Sequence, residues 1–145
     1  MNKKTIRIML VEDHIGYRET IVIALEQNEN MELTSQFGTA EIALRELQNA
    51  TPENQPDVIL LDLNLPGMSG LEALPWIKQY APDSEVIILT QSDNAADVTR
   101  AITEGAAGYL LKSATFKEIT EGIQTVMEGG ATLDPEVARF IINSL

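Results

Sequence analysis

The sequence predicts an α/β fold in which a parallel sheet is covered by helices on both faces, and three observations predict it. Short apolar runs alternate strictly with longer amphipathic segments, the pattern of βαβ units. The 145 residues, 44% of them hydrophobic, suit one domain with one core. No internal repeat, low-complexity tract or long linker breaks the alternation, and right-handed crossovers then leave few topologies.

Each element has a local reason. IRIMLV at Ile6 to Val11 reads as a strand, and Ile15 to Gln27 as a helix with its apolar stripe at Ile15, Ile21, Val22 and Leu25. Met31 to Phe37 is a second, weaker strand. Thr39 offers an N-cap for a helix to about Leu47. Gln48 to Pro56 is polar and holds two prolines, so it reads as loop. Val58 to Asp62 is the third strand. Gly70 to Tyr80 is helical in pattern but contains Pro75, and an interior proline costs about 3 kcal/mol, so the helix is expected to start near Glu72 or to kink there. Val86 to Thr90 is a strand. Asn94 to Glu104 is a helix ended by Gly105. Gly108 to Leu111 is a short fifth strand, Thr115 caps a helix closed by Gly129 and Gly130, and Asp134-Pro135 opens a last short helix.

Composition narrows the chemistry. Ten bases against 22 acids give a net charge of −12, so the chain by itself is a poor match for the phosphates of a nucleic acid. The absence of cysteine removes disulfides, thiolate metal sites and thiol nucleophiles, and fits a reducing compartment. A serine triad would have to use the single His14, and no Gly-x-Ser-x-Gly elbow is present. No apolar run is long enough to span a bilayer and no export signal opens the chain, so a cytoplasmic protein without membrane contact is expected.

In open α/β sheets the binding crevice lies beyond the carboxyl ends of the strands. There the pattern gathers Glu12 and Asp13 from the first strand, Asp62 from the third, Thr90 from the fourth and Lys112 from the fifth. Carboxylates at close range repel one another, and a hard dication such as Mg²⁺ relieves this. With a cation there, Asp62 can attack a phosphoryl group, Lys112 can neutralise its oxygens and Thr90 can donate a hydrogen bond to it. Gly67 and Gly70 answer to the turn after Asp62, where backbone passes close to the site. His14 reads as a surface residue at a helix start, and Trp76 as helix packing or a partly exposed ring.

The motifs VED at Val11 to Asp13, LLDLNLPGMSG at Leu60 to Gly70, LT at Leu89-Thr90 and GYLLK at Gly108 to Lys112 resemble the receiver domain of two-component response regulators. The VEDH opening and the DPEVAR tail at Asp134 to Arg139 resemble the LuxR/NarL-type receivers that precede a helix-turn-helix domain. The resemblance spans Lys4 to Gly129. It implies a flavodoxin-like, doubly wound, five-stranded sheet of order 2-1-3-4-5. Asp62 is then the phosphoacceptor for a sensor histidine kinase, and Mg²⁺ lies against Asp13, Asp62 and Asn64, with Glu12 nearby. Lys112 pairs with the phosphoryl group, and Thr90 and Tyr109 form the switch pair, the ring of Tyr109 turning inward. The resemblance further implies a receiver unit over 1–130 and a C-terminal helix or linker over 131–145. Output is expected through the fourth helix, fifth strand and fifth helix or through a homodimer, and DNA is expected to be reached only through a domain that this chain does not contain.

The sequence departs from the commoner receiver pattern at three places. Glu12 stands for an aspartate, Gln91 for a small residue after Thr90, and Ser113 for a proline after Lys112. Three other classes fit less well. A haloacid-dehalogenase-type enzyme needs an acid two residues after its nucleophile, where this chain has Asn64. A receiver fold that only binds partners characteristically lacks Asp62, Lys112 or the acidic pair. A flavodoxin-like cofactor binder needs a phosphate loop after the first strand, where Glu12 and Asp13 repel phosphate.

Overall fold

The computed structural model describes residues 4–145, and the first three residues of the unit expected over 1–130 lie outside them. The strands are β1 (Ile6–Val11), β2 (Met31–Phe37), β3 (Val58–Leu61), β4 (Glu85–Thr90), β5 (Gly108–Leu111) and β6 (Thr132–Leu133). They form one parallel sheet of six strands in the order β2-β1-β3-β4-β5-β6. The helices are α1 (Ile15–Glu26), α2 (Ala40–Asn49), α3 (Gly70–Tyr80), α4 (Ala95–Thr103), α5 (Phe116–Met127) and α6 (Pro135–Ser144). No helix among the described residues is long and apolar enough to cross a membrane.

Side chains alternate across a strand, so each central strand feeds two cores at once. Ile8, Leu10, Leu60, Ile87 and Leu89 point to one face, where Ile21 and Leu25 of α1 and Ile119 and Ile123 of α5 cover them. Met9, Val11, Ile59, Leu61, Val86 and Ile88 point to the other, under α2, α3, α4 and Val137 of α6. Both faces are dry, which leaves the strand ends as the place where polar groups can emerge.

The sequence expectations need correcting at several points. The sheet has a sixth strand: β6 pairs with β5, Gly108 opposite Thr132 and Tyr109 opposite Leu133. Two residues after Gly129-Gly130 carry no periodicity, so nothing in the pattern marks them as strand. β6 takes the open edge of β5 and α6 packs on α4. Helix α3 begins at Gly70 rather than near Glu72. Ser69 and Glu72 cap each other reciprocally, Ser69 Oγ accepting from the Glu72 amide and Glu72 Oε1 from the Ser69 amide, both at 3.1 Å. Pro75 withholds a donor from the Leu71 carbonyl, yet the buried Leu71, Leu74 and Ile77 keep the helix in place. Ile15 is 69% exposed, and the buried stripe of α1 runs through Ile21, Ala24 and Leu25, with Tyr17 partly buried one turn earlier. The loop before β3 is shorter than expected, since α2 reaches Asn49 and Pro52–Asn54 form a 3₁₀ turn.

The turn after β3 requires its glycines. Gly67 has φ of +74°, and a Cβ on Gly70 would overlap the Asp62 carbonyl oxygen and crowd Leu63. Gly70 donates its amide to the Leu63 carbonyl at 2.9 Å, which folds the segment back over the end of β3. Gly70→Ala is therefore expected to destabilise the protein by about 1–3 kcal/mol, as overpacking does. Urea unfolding of the variant checks this, and an unchanged midpoint would contradict the close approach.

Candidate functional site

The backbone ladder continues one residue past three strands and so fixes the charged residues at their ends. Glu12 donates its amide to the Phe37 carbonyl at 2.9 Å, Asp62 to that of Val11 at 3.0 Å and Lys112 to that of Thr90 at 2.9 Å. Three residues from distant parts of the chain thus reach one rim, where a cleft of about 700 Å³ opens between Asp13, Tyr17, Asp62, Gln91, Lys112 and Ser113.

Glu12 is 1% exposed and Asp62 4% exposed, while Asp13 faces solvent. Carboxylate oxygens of all three lie within 4.8 Å of one another. Lys112 Nζ lies 2.6 Å from Glu12 Oε1 and 3.0 Å from Asp62 Oδ2 and binds both buried acids at once. The remaining carboxylate oxygens are used too: Glu12 Oε2 accepts from the His14 amide at 3.0 Å and Asp62 Oδ1 from the Asn64 amide at 3.3 Å. Arg18 Nε donates to the Glu12 carbonyl at 2.6 Å. Burial pushes the Glu12 carboxyl above the usual range, with the charge of Asp62 adding to it and the bonds from Lys112 and His14 opposing it. Burial pulls on Lys112 in the opposite sense, but its bonds to Glu12 and Asp62 win and hold its ammonium above the ordinary value. Three carboxylates and one ammonium leave two negative charges in the cleft. The donors are all hard oxygens, so the residues present fit a small divalent cation.

Thr90 ends β4 and Tyr109 lies on the neighbouring β5. Thr90 is fully buried, and its Oγ1 accepts from the Ser92 amide at a long 3.4 Å. The Tyr109 ring is turned inward and fully buried, its hydroxyl donating to the Ser92 carbonyl at 2.7 Å. Ser92 Oγ donates in turn to Asp97 Oδ2 of α4 at 2.7 Å. The structure thus brings Glu12, Asp13, Asp62, Asn64 and Lys112 to the cleft, whereas Thr90 and Tyr109 meet on Ser92. His14 caps α1, its Nδ1 accepting from the Tyr17 amide at 3.0 Å. Trp76 is 45% exposed and tilts against Tyr80 with ring centroids 6.0 Å apart. The described residues hold no cis peptide, so the Lys112–Ser113 bond is trans.

Sequence reasoning missed two residues of this neighbourhood. Ser92 lies in a loop with no periodic signal. Tyr17 was legible, because it stands four and eight residues before Ile21 and Leu25 and so shares their stripe. Its ring lies 4.9 Å from the Lys112 ammonium.

The sequence and the fold both have counterparts among known proteins. The response regulator receiver domain family matches residues 8–124. The chain is 33% identical over 144 residues to the transcriptional regulatory protein DegU of Brevibacillus brevis, covering 98% of this chain and 58% of that protein. It is 31% identical over 134 residues to the response regulator GacA of Pseudomonas aeruginosa, covering 92% and 61%. The chain therefore spans roughly three fifths of the length of these curated relatives. Among solved structures, a LuxR-family two-component response regulator from Aurantimonas superposes with a TM-score of 0.87 at 30% identity, over 97% of this chain and 98% of that one. The receiver domain of the response regulator NarL from Mycobacterium tuberculosis gives 0.78 at 29% identity, over 87% and 98%.

Burial pushes the Tyr109 phenol up from 10 to about 12, the hydrogen bond to Ser92 working against this and the charges of Asp97, Asp93 and Asp62 adding to it. Below about pH 10 both folded and unfolded chains keep this proton. Between about 10 and 12 the unfolded chain loses it and the folded chain does not, so this contribution to stability is lost as pH rises through that window. Tyr109→Phe is expected to lose less stability than wild type between about pH 9 and pH 11.5, read as urea midpoints. Equal losses would contradict a buried, protonated ring.

Proposed function

The chain belongs to the response regulator receiver domain family, alongside relatives of the LuxR/NarL type, and from that premise we propose that it is a signalling switch carried by Asp62. An Asp62 carboxylate oxygen forms a bond to the phosphorus of a phosphohistidine on a sensor kinase. The bond from phosphorus to the donor nitrogen breaks, and the histidine keeps the electron pair. The single observation that carries the reading is the ion-paired cluster in which Lys112 bridges Glu12 and Asp62 beside Asp13.

Asp13, Asp62 and the carbonyl of Asn64 would hold Mg²⁺, with Glu12 beside them. When bound, the metal supplies positive charge against the phosphoryl oxygens and so lowers the repulsion that an incoming anion meets. Asp62 offers the nucleophile, kept oriented by the Asn64 amide on its other oxygen. Lys112 is already at hydrogen-bond distance from Asp62 and needs little motion to reach a phosphoryl oxygen there. Among the described residues the Thr90 hydroxyl accepts one long bond from Ser92 and donates none, which leaves its proton to be donated to the phosphoryl group. Moving a two-state equilibrium from 1:99 to 99:1 takes about 5.5 kcal/mol. One neutral hydrogen bond supplies about 0.5–1.5 kcal/mol, whereas two charge-assisted bonds at about 1.5–3 kcal/mol each approach the requirement, so both Thr90 and Lys112 are needed.

The switch then acts through Ser92. A move of Thr90 toward phosphate pulls on the Ser92 amide, whose carbonyl holds Tyr109 and whose hydroxyl holds Asp97 of α4. Output passes from α4 to a transcriptional domain or to a homodimer, in the cytoplasm, and the same chain supplies the self-catalysed transfer and loss of phosphate. The test is incubation with acetyl phosphate and Mg²⁺, read by intact mass. Wild type is expected to gain one phosphoryl group and Asp62→Asn none. Equal labelling of the two would reject Asp62 as the acceptor.

A further inference from the structure

We infer that Tyr17 is a positioning residue of this phosphoryl site, its ring face holding the Lys112 ammonium at the cleft while the carboxylates change partners. The inference rests on the reading of the cleft as a phosphoryl site.

Among the described residues the Lys112 ammonium has three partners: Glu12 Oε1 at 2.6 Å, Asp62 Oδ2 at 3.0 Å and the Tyr17 ring centroid at 4.9 Å. The first two are anions, and any cation that enters the acidic cluster competes with Lys112 for them. The third is neutral. Its attraction for the ammonium comes from the ring quadrupole, which an ion among the carboxylates does not neutralise. Lys112 thus keeps one contact through the exchange, and that contact belongs to the cleft wall.

The location of Tyr17 supports the assignment. The ring packs against the apolar cluster of α1, β1 and β5, which fixes it from behind. The hydroxyl is buried and has no hydrogen-bond partner among the described residues. Burial, with the charges of Glu12 and Asp62 adding to it, raises the phenol far above its ordinary value, so the ring stays neutral beside Lys112. An unpartnered buried hydroxyl is unfavourable, so packing alone would be served at least as well by phenylalanine. That makes Tyr17→Phe a useful control: it keeps the ring and removes only the hydroxyl.

Two measurements on the full chain test this. In acetyl phosphate labelling with Mg²⁺, Tyr17→Leu is expected to slow labelling about tenfold, the scale of one partly buried cation–π contact. Tyr17→Phe is expected to label at the wild-type rate and to unfold at no lower temperature. In NMR spectra the Lys112 ε-methylene protons are expected to show a ring-current shift that is absent in Tyr17→Leu and persists in wild type with Mg²⁺ and beryllofluoride. Labelling of Tyr17→Leu at the wild-type rate overturns the assignment, as does equal slowing of Tyr17→Phe or loss of the ring-current shift on adding beryllofluoride. Wild type that takes no label overturns the phosphoryl reading itself and this assignment with it.

Discussion

One ammonium shared between two buried carboxylates is the contact on which this molecule's chemistry depends. Glu12 and Asp62 are almost wholly withdrawn from water, and an unpaired charge there would cost several kcal/mol. Lys112 lies near both and makes their burial tolerable. It does not neutralise them fully, since one ammonium faces two carboxylates and Asp13 adds a third negative charge at the mouth. The site is therefore stable when empty of ligands and still attractive to a dication, the combination that a phosphate-accepting carboxylate needs.

The sheet makes this arrangement possible. Both faces are sealed by helices, so polar chemistry is confined to the strand ends, and the ladder bonds of Glu12, Asp62 and Lys112 place their side chains there. The other edge of the sheet is built from the tail. Thr132 of β6 fits into the space left by Gly108 and Gly122, where a Cβ on either glycine would meet it. Asp134 donates its amide to the Tyr109 carbonyl at 3.0 Å, and Val137 of α6 is fully buried in the apolar cluster that contains Tyr109 and Val98. Tyr109 is thus tied through its backbone to the tail and through its hydroxyl to Ser92, so the two ends of the α4 region share one residue.

Much of this was legible in the sequence, because strand ends are where patterns change abruptly. Continuous apolar runs stop at Glu12, Asp62, Thr90 and Lys112, and the caps Thr39, Asn94, Thr115 and Asp134 each accept a backbone amide at the helix start expected for them. What was not legible depends on tertiary contact. β6 is strand only because β5 lies beside it. Pro75 is tolerated because Leu71, Leu74 and Ile77 are buried around it. Ile15 reads as core by type but stands exposed, and it is Tyr17, two residues on, that turns inward and meets Lys112. Ser92 has no pattern at all and matters only because Thr90 and Tyr109 converge on it.

The balance of charge in the cleft can be measured directly. Replacing Lys112 by methionine removes the ammonium that bridges Glu12 and Asp62 while keeping an unbranched side chain only one atom shorter. Titration calorimetry with Mg²⁺ should then show the Lys112→Met variant binding the ion several-fold more tightly than wild type. Binding that is unchanged or weaker would mean that Lys112 does not hold these carboxylates against a metal, and the account of the site would fail.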